Sequence, residues 1–230
     1  MKILAIETSG ERGSVALLAD DMLFEQALEG HARHSEHLLP TIRQLLAEAG
    51  LSLQQLDALA FGAGPGAFTG LRLACGVVQG LALGAQRPVV AVGSLQALAL
   101  EAPQGPVLVA ADARMGEIYS AAYLNDGLEP LEILAPRCAP PEDLRLPNEG
   151  SWIGVGSGFA AYPERIPLFL RQSLTALHAE RAPTARAVAR LAARRAARGE
   201  ALDAIRAAPL YVRDKVALTT AERLARGARA

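Results

Sequence analysis

Lys2-Ile-Leu-Ala-Ile-Glu7 and Val107-Leu-Val-Ala-Ala-Asp112 are two short apolar runs that each stop on a carboxylate, and their likeness decides the fold. A run of this length and composition reads as a strand. The same punctuation follows both. After the first come Ser14-Val-Ala-Leu-Leu18 and Met22 to Leu28, parted by Asp20-Asp21, and after the second come Glu117 to Leu124, the turn Asn125-Asp-Gly127, and Leu128 to Leu134. Each set predicts three strands with a tight hairpin turn. Sliding the chain onto itself by 105 positions superposes Glu7 on Asp112, Ala16 on Ala121, Asp21 on Asp126 and Leu23 on Leu128. Few identities match, but the punctuation does.

Working outward, the period turns helical from Ser35, where Leu38, Leu39, Ile42, Leu45, Leu46 and Ala49 form an apolar stripe closed by Gly50. Asp57 to Gly62 predicts a buried strand. The loop Gly62-Ala-Gly-Pro-Gly-Ala-Phe-Thr-Gly70 then leads, with Thr69 as N-cap, into a helix reaching about Ala85. Pro88 to Val92 predicts another strand and Ser94 the cap of a short helix through Leu100. The Pro/Gly stretch Ala102-Pro-Gln-Gly-Pro106 has no hydrophobic period and marks a boundary between residues 1–102 and 107–230. Beyond it, Pro141-Glu-Asp-Leu144 predicts a helix start, Trp152 to Gly156 a strand, and Thr184 to Arg198 a long helix closed by Gly199. The last helix is a candidate to return to the first domain. The fold class is α/β, an internal duplication of a strand-strand-strand-helix-strand-helix unit.

Composition narrows the function. With 230 residues, 51% of them apolar, the chain buries a real core, so global disorder is excluded. Lys plus Arg is 23 against 24 Asp plus Glu, which excludes binding nucleic acid through an overall basic charge. Cys75 and Cys138 share no metal-ligand spacing, so neither a disulfide framework nor a zinc set is available. The opening apolar run stops too early for a signal sequence, and no stretch of about 18 uncharged apolar residues follows. A cytoplasmic protein with no membrane role is expected.

Several motifs have a plain and a sharp reading. Gly62-Ala-Gly-Pro-Gly-Ala67 satisfies G-x-G-x-x-A, but it follows the fourth strand of its unit and lacks the acidic partner of a dinucleotide site; a glycine-rich crossover is the plainer account. No phosphate-binding G-x-x-x-x-G-K-[ST] exists. His31, His34 and His37 flank Glu36 without a metal-ligand pattern and read as polar residues at a helix start. Gly76, Gly80 and Gly84 recur every fourth residue on an otherwise apolar helix, at about 1 kcal/mol each relative to Ala. Something packs closely there: the chain's own sheet or a partner's helix. Arg186, Arg190, Arg194 and Arg198, with Arg195, form a basic stripe, either a solvated face or a contact for RNA phosphates.

Two facing units with a carboxylate at the end of each first strand resemble the actin, sugar-kinase and Hsp70 superfamily, in which those carboxylates handle a nucleotide-bound metal between the domains. Within it, Ile3-Leu-Ala-Ile-Glu-Thr-Ser9, Arg33-His-Ser-Glu-His-Leu-Leu-Pro40, Gly62-Ala-Gly-Pro-Gly-Ala-Phe-Thr-Gly-Leu-Arg72, Asp112-Ala-Arg-Met-Gly-Glu-Ile-Tyr119 and Pro209-Leu-Tyr-Val-Arg213 resemble, in order, the motifs of the TsaB (YeaZ) family. The resemblance spans nearly the whole chain and is carried most specifically by G-P-G-x-F-T-G-x-R. It implies a duplicated actin-like fold and an accessory subunit of threonylcarbamoyladenosine (t6A) modification, at the adenosine beside the anticodon of tRNAs reading codons that begin with A. The implied partners are a TsaD-like catalytic subunit and a TsaE-like ATPase, with a homodimer when the partner is absent and tRNA reached only through the complex.

ATP and metal are expected on those partners and no cofactor on this chain. Where TsaD relatives carry the two histidines of V-N-H-L-E-G-H, this chain has Ser94 and Leu98 in Val92-Gly-Ser-Leu-Gln-Ala-Leu98, which do not replace imidazole ligands. No catalytic residue and no metal site are expected, and Glu7 and Asp112 are degenerate nucleotide positions. The expected partner surface comprises Leu39, Ile42 and Leu46 on the first helix and Leu73, Gly76, Val77, Gly80 and Leu83 on the second. The alternative is a degenerate peptidase or a nucleotide-dependent phosphotransferase using Glu7 and Asp112; a homodimeric module with another client is a third reading.

Overall fold

The structure is a computed structural model and describes residues 1–28 and 34–213. The first unit runs β1 (Lys2–Glu7), β2 (Gly13–Ala19), β3 (Met22–Leu28), α1 (His34–Glu48), β4 (Ala58–Gly64), α2 (Phe68–Ala85), β5 (Val89–Gly93) and α3 (Ser94–Leu100). The second runs β6 (Gly105–Arg114), β7 (Glu117–Asn125), β8 (Leu131–Ala139), β9 (Trp152–Val155), α4 (Gly158–Ala161), α5 (Leu168–Gln172), β10 (Leu174–His178) and α6 (Ala185–Ala197). The sheets are ordered β3-β2-β1-β4-β5 and β8-β7-β6-β9-β10, so strand for strand they have the same topology. In both, the first strand pairs antiparallel with the second and parallel with the fourth. The fold is the duplicated actin-like α/β architecture.

Alternation along β1 builds two cores from one strand. Leu4 and Ile6 face the core shared with α1 and α2, whereas Ile3 and Ala5 face the opposite core, with Ala58, Ala60, Val90 and Val92. That second face is small-sided, and α6 lies on it through Ala185, Val188, Ala189, Leu191 and Ala192. In return, Leu95, Leu98 and Ala99 of α3 cover Val107, Val109 and Val155 of the second sheet. Each unit's last helix thus closes the other unit's core. Asn125 reinforces the junction by donating from Nδ2 to the carbonyls of Ala99 and Ala102 at 3.0 and 2.9 Å.

Several sequence expectations change. Pro141–Asp143 is a single 3₁₀ turn, so the second unit has no counterpart of α1. The strand expected at Leu128 begins at Leu131, because Asp126 accepts from the amides of Leu128 and Glu129 and holds them in the turn. β10 (Leu174–His178) is a strand with no counterpart among the predicted elements. Ala67, not Thr69, is the N-cap of α2, and Gly93, not Ser94, is that of α3. Gly50 and Gly199 do follow their helices with φ of +64° and +77°, and Thr184 caps α6 by accepting from the Ala187 amide. α2 has the 18 residues of a bilayer span, but Arg72 interrupts it and Leu71, Ala74, Cys75, Val78 and Ala82 bury one face. His31 and Arg33, and the chain beyond Arg213, lie outside the described residues.

Candidate functional site

Glu7 ends β1 with its side chain fully buried. One carboxylate oxygen accepts from the Ser9 amide at 2.6 Å and the other from the Ser94 hydroxyl at 2.9 Å. The Ser94 oxygen in turn accepts from the Gly64 amide at 3.1 Å. Burial pushes the Glu7 carboxyl above the usual carboxylate range, against the opposing pull of these hydrogen bonds. The glycine loop is moulded around this strand end. A Cβ at Gly62 would strike the Glu7 carboxylate, one at Gly66 would meet Ser9, and one at Gly70 would run into the Thr8 carbonyl. The Thr8 hydroxyl donates to the Gly70 carbonyl at 2.8 Å, and the Ala67 amide to the Ser9 carbonyl at 2.7 Å. The loop amides and glycines therefore cradle the chain's own backbone.

Asp112 ends β6 in the matching place of the second unit. One of its oxygens accepts from the Arg114 amide at 2.8 Å and from the Tyr162 hydroxyl at 2.9 Å, and the other lies 3.3 Å from the Arg114 guanidinium. Both carboxylates expected from the duplication are present at homologous positions, each engaged by its own unit. Among the described residues no group of three His, Cys, Asp or Glu side chains is arranged to hold a metal ion.

The helix surface divides the remaining candidates. Among the described residues, a Cβ at Gly76, Gly80 or Gly84 meets nothing within 4 Å, so the glycine row does not face the chain's own sheet. Leu83 and Leu39 are 54% and 44% exposed, while Leu73 and Val77 are half-buried at the edge of the core. Ile42 and Leu46 do not belong to this surface: at 2% and 8% exposure they are core residues under α1. Of the three α1 residues only Leu39 points outward, and the periodicity alone does not separate the rim of the stripe from its centre.

The sequence reading missed an exposed aromatic step at the end of the glycine row. Arg72 lies 3.9 Å above the Phe68 ring and donates from Nε to the Tyr211 hydroxyl at 3.2 Å, with the two rings 5.9 Å apart. Phe68, Arg72 and Gly76 share the i+4 spacing, which was the available signal; Tyr211 arrives from far along the chain and left none.

The arginine stripe is largely structural. Arg186 pairs with Glu101, Arg195 donates to the Ala91 carbonyl and Gln96, and Arg198 pairs with Glu129. Arg190 and Arg194 are exposed.

The TsaD family model, tRNA N6-adenosine threonylcarbamoyltransferase, matches residues 28–154. The tRNA threonylcarbamoyladenosine biosynthesis protein TsaB of Escherichia coli is 36% identical over 94% of this chain and 96% of its own length, and that of Haemophilus influenzae is 35% identical over 94% and 95%. A Pseudomonas aeruginosa structure described as YeaZ is 42% identical, covers 91% of this chain and 99% of its own, and superposes with a TM-score of 0.85. The chain belongs to the TsaB family.

The TsaB motifs now have physical reasons. In G-P-G-x-F-T-G-x-R, Gly66 and Gly70 admit the Thr8-Ser9 backbone, and Phe68 and Arg72 build the aromatic step with Tyr211. In D-A-R-x-x-E-x-Y, Glu117 and Tyr119 receive Arg213 of the P-L-Y-V-R motif, at 2.8 Å and 5.7 Å respectively. Ser94 and Leu98, where TsaD relatives are expected to carry histidines, have other work: Ser94 binds Glu7, and Leu98 lies in the core between the sheets.

Proposed function

We propose that this TsaB-family chain is a non-catalytic accessory subunit of t6A formation in tRNAs reading codons that begin with A, and that it acts by binding and activating a TsaD-like catalytic subunit. The observation that carries the reading is the open glycine row. Three glycines inside an α-helix cost about 1 kcal/mol each relative to Ala, and none of the described residues approaches Gly76, Gly80 or Gly84 closely enough to require them. A partner helix lying along the row, flanked by Leu39, Leu73, Val77 and Leu83, supplies the close approach. The same surface serves a homodimer when the partner is absent, so the two assemblies are mutually exclusive.

The two sequestered carboxylates support the non-catalytic part of the reading. Glu7 and Asp112 spend their acceptors on Ser9, Ser94, Tyr162 and Arg114, which favours placing ATP and metal on the TsaD-like and TsaE-like partners. tRNA is then reached only through the complex, in the cytoplasm. Reconstituted modification with Glu7→Ala is expected within a few fold of the wild-type rate, and calorimetry with Mg-ATP on the isolated chain is expected to show no binding. Loss of modification by a folded, complex-forming Glu7→Ala protein, or Mg-ATP binding lost on that substitution, supports the phosphotransferase alternative. A pull-down in which no TsaD-like protein is a stoichiometric partner overturns the assignment.

A further inference from the structure

The two units pack together through α3 and α6, and arginines cross the groove that separates their first hairpins. At one point Arg12, on the β1–β2 turn, donates to the Glu180 carbonyl beyond β10. At a second, Glu11 of the same turn pairs with Arg114, which ends β6 before the β6–β7 turn and also lies against Asp112. These turns occupy corresponding places in the two duplicated units, so the chain's two first hairpins are joined to each other by charge.

A third crossing uses the segment after α6 as a strap. It is fastened to the first unit by paired backbone hydrogen bonds between Val89 and Leu202 at 2.8 and 2.7 Å. Gln79 holds it by donating to the Ala207 carbonyl at 2.9 Å, and the Leu210 amide donates to the Ala63 carbonyl at 2.7 Å. The strap then delivers Arg213 to the second unit, where its guanidinium pairs with Glu117 at 2.8 Å and donates to the Ala113 carbonyl at 2.9 Å.

We infer that Arg12, Arg114 and Arg213 form an interdomain clasp that holds the groove closed in place of a bridging ligand. Both carboxylates at the groove are already satisfied within their own units, so closure depends on contacts that cross it. The apolar floor of α3 and α6 is the hinge side, and the clasp fixes the angle. Its members differ in exposure. Arg114 and Glu11 are 66% and 62% exposed, so salt screens that pair, whereas Arg213 is 14% exposed and is screened far less. The clasp accordingly loosens in two stages, the exposed pair first.

Hydrogen exchange on the full chain, read by mass spectrometry over peptides spanning 8–13 and 112–118, tests this. Raising salt from about 0.1 M to about 1 M, which shortens the screening length from ~10 to ~3 Å, is expected to speed exchange of both turns together by about fivefold. At low salt, Arg12→Gln with Arg114→Gln reproduces the high-salt pattern, and Arg213→Gln adds a rise over 112–118 that salt alone does not produce. Amides of β1 and α2 stay protected throughout. Exchange of the two turns that responds neither to salt nor to substitution overturns the clasp, and so does protection of both turns by added Mg-ATP, since a ligand then does the bridging. Should a substitution unfold the chain, the salt series on the wild-type protein decides alone.

Discussion

Two sets of three glycines, each at a spacing of four, lie either side of Arg72 and have opposite reasons for being glycine. At Gly62, Gly66 and Gly70 a single methyl group collides with Glu7, Ser9 or the Thr8 carbonyl, so the fold itself demands glycine. At Gly76, Gly80 and Gly84 the same methyl group enters open space. The first set shows how a crossover loop is fitted to its own strand end, and the second leaves an open helix surface, the one proposed above to receive a partner helix. Spacing does not separate them; what stands opposite each Cα does.

The largest effect expected from this contrast is at Gly70. Its Cβ would meet backbone, which cannot rotate away, so Gly70→Ala is expected to lower stability by about 3 kcal/mol in denaturant unfolding. A loss below about 0.5 kcal/mol breaks the internal half of the comparison. Next comes the division of α1 into core and rim. Ile42→Ala is expected to cost about 2–4 kcal/mol, and Leu39→Ala to stay within about 0.5 kcal/mol while weakening complex formation. Equal destabilisation by the two would show that the rim was misplaced.

A smaller effect belongs to Glu7. Because burial raises its pKa above that of the unfolded chain, the folded state keeps a proton that the unfolded state has released, and stability falls as pH rises from the ordinary carboxylate range through the raised value. Glu7→Gln removes that dependence; an unchanged stability–pH profile shows that the carboxyl is not desolvated by its glycine cradle. The smallest effect is a gain. Gly84→Ala is expected to stabilise the isolated chain by about 0.5–1 kcal/mol, read as a rise in Tm.

The duplication was legible because both first strands keep an apolar run ending in a carboxylate, and Asp21 and Asp126 stand at the same place in the turns that follow. The elements that escaped sequence reading were those decided by distant partners. β10 is a five-residue edge strand whose pairing to β9 is its reason to exist, and the expected helix at Pro141 has only a three-residue turn because no apolar stripe follows it. Glu7 and Asp112 were legible as a pair, but their satisfaction by Ser94 and Tyr162 was not, since those residues are 87 and 50 positions away. The clasp was invisible for the same reason: Glu11 and Arg114 are 103 residues apart.

The proposal that the glycine row receives a partner is probed most sharply by Gly80→Leu, because a Cβ at Gly80 meets nothing within 4 Å among the described residues. The measurement is a calorimetric titration of the wild-type and Gly80→Leu chains with the TsaD-like partner, beside thermal melts of each chain alone. The expected result is a melt at or above that of the wild type and an affinity lower by about ten- to a hundredfold, the equivalent of about 1–3 kcal/mol of overpacking. A normally folded Gly80→Leu chain that binds the partner as tightly as the wild type would contradict it.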